Sequence, residues 1–184
     1  MKRLEDMTLV ELWKMFPIFL VPHNQVWADW AREEICHLGQ LLDGIEATLH
    51  HVGSTAVPGI QAKPIVDIVV ELSDSSQLPV AKECLISAGY LLMSESATRA
   101  SLNKGYTPEG YADRVFHIHI RRQGEVDEVY FRDYLIENPD VARAYEVLKL
   151  TLWKKYEHDR DGYTAAKTDF VTRYTDLAKH EKAD

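Results

Sequence analysis

The stretch from His50 to Leu72 limits what this chain can become more than any other. Its second half, Ile65 to Leu72, is rich in β-branched residues and broken only by Asp67 and Glu71. Such a run predicts a strand with at least one covered face. Alternation puts Asp67, Val69 and Glu71 on one side and Ile68, Val70 and Leu72 on the other. A carboxylate early in an otherwise apolar strand is costly unless a metal ion, a cation or several N–H donors satisfy it. Asp67 is therefore the first residue to which chemistry is assigned.

The first half of the stretch supplies a partner for it. Gly53 and Gly59 permit backbone geometry and close approach that other residues resist. Ser54 and Thr55 add donors, and the N–H groups around them can form an anion-binding concavity. Pro58 and Gly59 mark a turn, and Lys63 brings a positive charge just before the strand. The spacing is not that of a Walker A loop. Taken alone, the pattern fits either a ligand cradle or a buried turn that feeds a core strand.

In chain order, Thr8 and Glu11 form a capping-box pattern at the start of a short helix that Pro17 ends. Ile18 to Val21 reads as extended. A longer helix from Asn24 or His23 to Leu42 carries an apolar stripe that includes Trp27, Trp30, Ala31, Ile35 and Leu38. Ile45 to Val52 is expected as the first strand of the main sheet, and Val80 to Ala88 as a helix ending at Gly89. Tyr90 to Met93 reads as a short strand and Ser94 to Asp113 as a polar loop beside the site. Val115 to Arg121 alternates, with His117, His119 and Arg121 on one face against Phe116, Ile118 and Ile120. Placed beside Asp67, its polar face makes a His/carboxylate cluster. Val126 to Phe131 is expected as a further extended edge. The last third is helical, with Tyr145 and Leu148 on one helix, a polar hinge from His158 to Asp161, and Tyr163, Lys167 and Phe170 on another.

The sequence pattern is not generic. His51 to Gly59, followed by Ala62-Lys63-Pro64-Ile65-Val66-Asp67-Ile68, resembles the signature of the GrpB family. The likeness extends through Lys104 to Pro108, His117 to Arg121, Phe131 to Leu135, Tyr145 with Lys149, and Tyr163 with Lys167. It covers the chain from about Leu9 to about Ala178. The resemblance implies an α+β, nucleotidyltransferase-like fold: a mixed sheet flanked by helices, with a helical C-terminal third. Residues 1–184 are expected as a single domain, its helical part, about 136–178, packed on the sheet core. In such enzymes a Gly-Ser turn holds a nucleotide's phosphates and strand carboxylates hold magnesium. By resemblance Gly53 and Ser54 match the turn and Asp67 the first carboxylate. The usual second carboxylate position is Val69, and His117 or His119 stands where a third acidic residue is expected. A standard two-magnesium mechanism is not implied here.

The expected function is metal-dependent nucleotidyl transfer from a nucleoside triphosphate to a hydroxyl of a small molecule or protein. Asp67, His117 and His119 are the candidate catalytic residues. Asp67, Glu71, His117 and His119 are the candidate ligands for Mg2+ or Mn2+, with Zn2+ compatible with the imidazoles. Gly53, Ser54, Thr55, Lys63, Arg99, Lys104 and Arg121 are the candidate phosphate contacts. Two other classes share this residue set: a non-catalytic nucleotide- or phosphometabolite-binding protein, and a metal-dependent phosphoester hydrolase.

Composition narrows the partners. At 184 residues, 46% hydrophobic and 27% charged, the chain suits an ordinary globular core. A net charge of −8 disfavours a broad nucleic-acid surface while permitting a small positive pocket. The two cysteines, Cys36 and Cys84, read as thiols rather than a disulfide framework. No stretch has the length of a membrane-spanning helix or the pattern of a secretory leader, so the cytoplasm is the expected compartment.

Overall fold

The alternation in the Asp67 strand builds the whole molecule. In the computed structural model, which describes residues 3–183, five strands form one sheet in the order β1-β2-β5-β4-β3. They are β1 (Ala47–Val52), β2 (Val66–Leu72), β3 (Leu91–Glu95), β4 (Arg99–Thr107) and β5 (Gly110–Arg122). β2 runs parallel to β5, and the β1–β2, β4–β5 and β3–β4 pairs are antiparallel, so the sheet is mixed. One face carries Ile68, Val70, Leu102, Ile118 and Ile120, none with measurable exposure. Two helices cover it. α2 (Val26–Leu41) contributes Trp27, Ala31 and Leu38, and α3 (Leu78–Ser87) contributes Leu78, Ala81 and Leu85.

The opposite face is covered by α4 (Asp127–Glu137), α5 (Pro139–Trp153) and α6 (Arg160–Ala183). Leu135, Ala142 and Tyr145 from these helices pack on Val57 and Ile60 of the segment leading into β2. Ahead of the sheet, α1 (Leu9–Met15) carries the predicted capping box: Glu11 N–H donates to Thr8 Oγ1, and the Glu11 carboxylate accepts from the Thr8 N–H. Val21 forms an isolated bridge with Ala62, which ties the entry segment to the approach of β2.

Two local expectations are overturned. The stretch expected as a polar loop, 94–113, instead holds β4 and a tight hairpin into β5. Its buried side is apolar at Ala100 and Leu102, while Ser101 and Asn103 point to the opposite face, where polar side chains have partners. The segment expected as an extended edge, 126–131, enters α4, whose first turn carries Asp127 and Glu128. Acidic residues there complement the helix N-terminus, so the small acidic run is a helix start. Among the described residues no helix is long and apolar enough to cross a membrane.

Candidate metal centre and its cationic cavity

Parallel pairing of β2 with β5 sets Asp67 opposite His117 and Val69 opposite His119. Both imidazoles converge on one carboxylate oxygen: His119 Nε2 lies 3.1 Å and His117 Nδ1 3.4 Å from Asp67 Oδ1. One donor atom from each of the three residues falls within 4.8 Å of the others. Burial disfavours the Asp67 carboxylate, but hydrogen bonds and charge from His117 and His119 outweigh it and hold the carboxyl well below its ordinary range. Burial also lowers the His117 pKa, against the pull of Asp67. The far nitrogens are engaged as well. His117 Nε2 is 2.8 Å from Tyr106 Oη and His119 Nδ1 is 3.4 Å from Ser101 Oγ.

The turn before β2 closes directly over this carboxylate. Gly53 has φ +73°, and a Cβ at that position would lie 2.5 Å from Asp67 Oδ2. Only glycine permits both the backbone conformation and the approach. Ser54 to Ala56 form a single 3-10 turn, and His51 Nε2 lies 3.0 Å from Thr55 Oγ1, bracing it. Burial lowers the His51 pKa to about 4, so this imidazole is neutral at ordinary pH.

A cavity of about 560 Å³ opens in front of the turn and the Asp/His/His cluster, roofed by α4, α5 and α6. Lys63, Lys149, Arg160 and Lys167 line it. None of the four forms an ion pair with a carboxylate among the described residues; they lean instead on rings and neutral oxygens. Lys167 Nζ lies 4.2 Å from the Tyr163 ring centroid and Lys63 Nζ 5.7 Å from the same ring. Lys149 donates to the Gln61 carbonyl, and Arg160 Nη2 donates to Tyr106 Oη at 2.9 Å. Burial, then repulsion from Arg160 and Lys167, lowers the Lys63 pKa to about 7. Burial and Lys167 bring Lys149 to about 7 as well. Burial takes Lys167 to about 8, with Asp67 partly offsetting it.

Of the residues singled out from sequence, Gly53, Ser54, Thr55, Lys63, Asp67, His117 and His119 border the cavity. Four others are not brought to it. Glu71 accepts from Gly124 N–H at 2.9 Å and lies 3.0 Å from His50 Nε2, outside the Asp/His/His group. Arg121 is buried, pairs with Glu128 at 2.8 Å and donates to the Ala100 and Ile120 carbonyls. Lys104 pairs with Phe116 across the strands and so turns to the opposite face, where Glu34 takes its charge at 3.0 Å. Arg99 is exposed and sits opposite Arg121.

The sequence reading did not assign site roles to Tyr106, Lys149, Arg160 or Lys167. A signal was present in the spacing: Tyr145/Lys149 and Tyr163/Lys167 are both i,i+4 pairs, which align an aromatic and a cation on one helix face. Tyr106 reaches His117 because a register shift between Lys104 and Tyr106, centred on Gly105 at φ +91°, resets the alternation of β4. A Cβ at Gly105 would lie 2.3 Å from the Arg114 carbonyl oxygen, so this bulge also requires glycine.

A mixed sheet with a glycine–serine turn poised over a strand carboxylate, flanked by helices, is a nucleotidyltransferase-like fold. The backbone is similar to that of Cid1 poly(U) polymerase with Mg 3′-dATP bound, at a TM-score of 0.53 and 13% identity, over 86% of this chain and 51% of that one. The family is narrower than the fold. The GrpB protein family matches residues 17–177, and the chain belongs to it. The conserved protein GrpB from Enterococcus faecalis superposes with a TM-score of 0.77 at 27% identity, over 90% of this chain and all of that one. The UPF0157 protein SCO7215 of Streptomyces coelicolor is 31% identical over 176 residues, 92% of this chain and 90% of its own length. The chain spans 52% of the length of another relative, the UPF0157 protein YqkA of Bacillus subtilis.

The donor set does not suit a pair of magnesium ions. Magnesium prefers an octahedron of oxygens, and sites that use two ions need bridging carboxylates. Here Val69 has no measurable exposure and no donor atom, and two of the three converging side chains are imidazoles. One carboxylate and two imidazoles fit a single divalent ion.

Proposed function

We propose that this chain binds the polyphosphate of a nucleotide in the cationic cavity and transfers the nucleotidyl group to a hydroxyl of a small molecule or protein. The observation that carries the reading is the charge imbalance. A chain of net charge −8 gathers around one cavity four cations that form no ion pair among the described residues, while the acidic lining residues Asp127 and Glu128 pair with Lys179 and Arg121; the floor is Asp67, His117 and His119. Arg160 and Lys167 lower the Lys63 pKa and Lys167 lowers that of Lys149, a repulsion that a bound polyanion relieves.

In this reading the Gly53–Thr55 turn offers N–H groups and the Ser54 hydroxyl to phosphate oxygens. Lys63, Lys149, Arg160 and Lys167 balance the polyphosphate charge and hold the α-phosphate toward the floor. The acceptor oxygen forms a bond to the α-phosphorus, the bond from that phosphorus to the β-phosphate bridge breaks, and pyrophosphate leaves against the four cations. The acceptor's proton goes to water. A divalent ion held by Asp67 and the imidazoles would supply neutralisation at the α-phosphate and a lower pKa for the attacking hydroxyl. Residues of α4, α5 and α6 roof the site, and water kept from the reacting phosphate there would favour transfer over hydrolysis.

A second reading has its own support: Val69 stands where a second carboxylate is expected, which favours a nucleotide-binding protein without catalysis. One experiment separates the two. Wild type and Asp67→Ala are titrated calorimetrically with ATP, GTP, CTP and UTP, with and without a divalent ion, and the preferred nucleotide is then incubated with candidate acceptors while pyrophosphate is measured. Ion-dependent binding lost in Asp67→Ala, followed by pyrophosphate release, is the expected result. Ion-independent binding retained in Asp67→Ala supports the binding module. Release of nucleoside monophosphate or inorganic phosphate without an acceptor indicates a hydrolase.

A further inference from the structure

The arrangement of nitrogens around Asp67 says more about the ion than its ligand count does. Each imidazole turns one nitrogen to Asp67 Oδ1, at 3.1 and 3.4 Å, and fixes the other on an oxygen of a neighbouring strand residue. That is the outer arrangement of metal-ligating histidines, whose second nitrogen is normally held by a hydrogen-bonding group that sets ring orientation and tautomer. Two ligands bound at about 2.0–2.2 Å to one Zn2+-like ion are separated by about 3.0–3.5 Å. Both imidazole–carboxylate distances already lie at that spacing, and all three donor atoms fall within 4.8 Å of one another, so the group can close on one ion.

Tyr106 is the link with most at stake. Its hydroxyl touches His117 Nε2 and accepts from Arg160, and its ring lies nearly parallel to the imidazole, at 17° and 5.9 Å between centroids. Phe16 and Tyr111 hold the ring from other sides, at 4.8 and 5.4 Å. With His117 bound to an ion through Nδ1, its proton resides on Nε2 and donates to Tyr106 Oη. The Arg160 guanidinium then stands one hydroxyl away from a metal ligand while it also lines the anion cavity.

We propose that Asp67, His117 and His119 form a site for one borderline divalent transition ion of the Zn2+ and Co2+ class rather than for magnesium, and that Tyr106 is the residue that positions His117 in it. Imidazole nitrogen suits these ions, and affinity for a site of this composition rises toward the late first-row metals, whereas magnesium retains water and prefers oxygen. The inference deepens the proposed function at the same site, and its test contains no nucleotide, so either can fail without the other.

The test begins with protein stripped by a chelator and titrated with Co2+, followed by visible absorption. Wild type is expected to develop bands saturating at one equivalent, to lose them on adding one equivalent of Zn2+, and to keep them in millimolar Mg2+. His119→Ala should abolish the signal. Tyr106→Phe keeps the ring packing and should weaken Co2+ binding by about 10–100-fold, the range for loss of a group that orients a ligand. Thermal melting of the stripped proteins checks that each variant is folded. Absence of bands in folded wild type, or their displacement by millimolar Mg2+, overturns the ion assignment. Unchanged Co2+ affinity in Tyr106→Phe overturns the positioning role.

Discussion

The two faces of the sheet handle charge in opposite ways. On the α2/α3 side a buried carboxylate, Glu34, is met by Tyr90 and by Lys104 at 3.0 Å, amid side chains that are otherwise apolar. On the α4–α6 side Lys63, Lys149, Arg160 and Lys167 face a cavity and form no ion pair among the described residues; of the acids lining it, Asp67 is held by two imidazoles, Asp127 pairs with Lys179 and Glu128 with Arg121. Both faces are made by the same strands and differ by one residue of phase. Charge that is balanced within the fold belongs to the scaffold. Charge left unbalanced around a space is what the proposed polyphosphate would neutralise.

The largest expected effect lies on the balanced face. Ile118 is fully buried between α2, α3 and the sheet, so Ile118→Ala should cost about 2–5 kcal/mol in chemical denaturation. A loss under about 1 kcal/mol would mean that this face is not the main core. Lys167→Met on the other face should do the reverse of a core mutation. It removes a half-buried cation that repels Lys63 and Lys149, so the melting temperature of the ligand-free protein should hold or rise. Nucleotide affinity should fall by about tenfold to a hundredfold, the scale of one charge-assisted hydrogen bond. A fall in melting temperature with unchanged binding would erase the distinction between the faces. Lys104→Met completes the set: it strands Glu34, so stability should drop by about 1–3 kcal/mol while nucleotide affinity stays the same.

Much of this was legible in the chain because period two is strict. Alternation put His117 and His119 on one face of their strand and Asp67 on one face of another, and the parallel register then put the three side by side. The rule was not applied to Lys104, which was read as part of a loop, whereas its strand neighbour Phe116 commits it to the far face. Arg121 keeps the predicted face but lies under α4, whose Glu128 captures it, a contact between segments that no local pattern encodes. Lys149 and Lys167 belong to helices that meet the sheet only in three dimensions. Their i,i+4 tyrosines were visible, but the cavity between the helices and β2 was not.

The unbalanced face should also give the molecule two opposed responses to pH. Lys63 and Lys149, with pKa lowered to about 7, and Lys167, at about 8, lose their protons in the folded protein well before they do in the unfolded chain, where a lysine titrates near 10.5. Between about pH 7 and the unfolded value near 10.5 the unfolded state therefore binds more protons, and ligand-free stability from these groups increases as pH rises through that window. Polyphosphate affinity should decrease over the pH 7–8 interval, because the anion needs the charged form. Melting and calorimetry across this range would show stability and affinity moving apart. A parallel fall in both would place the titrating groups elsewhere.

The smallest effect is expected at Arg99, and it tests how far the unbalanced face reaches. Arg99 shares the site side of β4, so face alone would count it with the cavity cations. Its strand partner, however, is Arg121, four residues beyond His117 on β5. At about 3.3 Å per residue that is roughly 13 Å along the strand from His117 and roughly 7 Å from His119, and Arg99 is not among the residues that line the cavity. The pair of buried Arg121 with half-buried Glu128 lies at that far end, and Arg99 itself is exposed. Arg99→Ala should therefore change stability by less than about 0.5 kcal/mol and nucleotide affinity by less than about twofold. A tenfold loss of affinity would show that the bound molecule runs past the Asp/His/His floor to the far end of β5. The recognised ligand would then be longer than a mononucleotide.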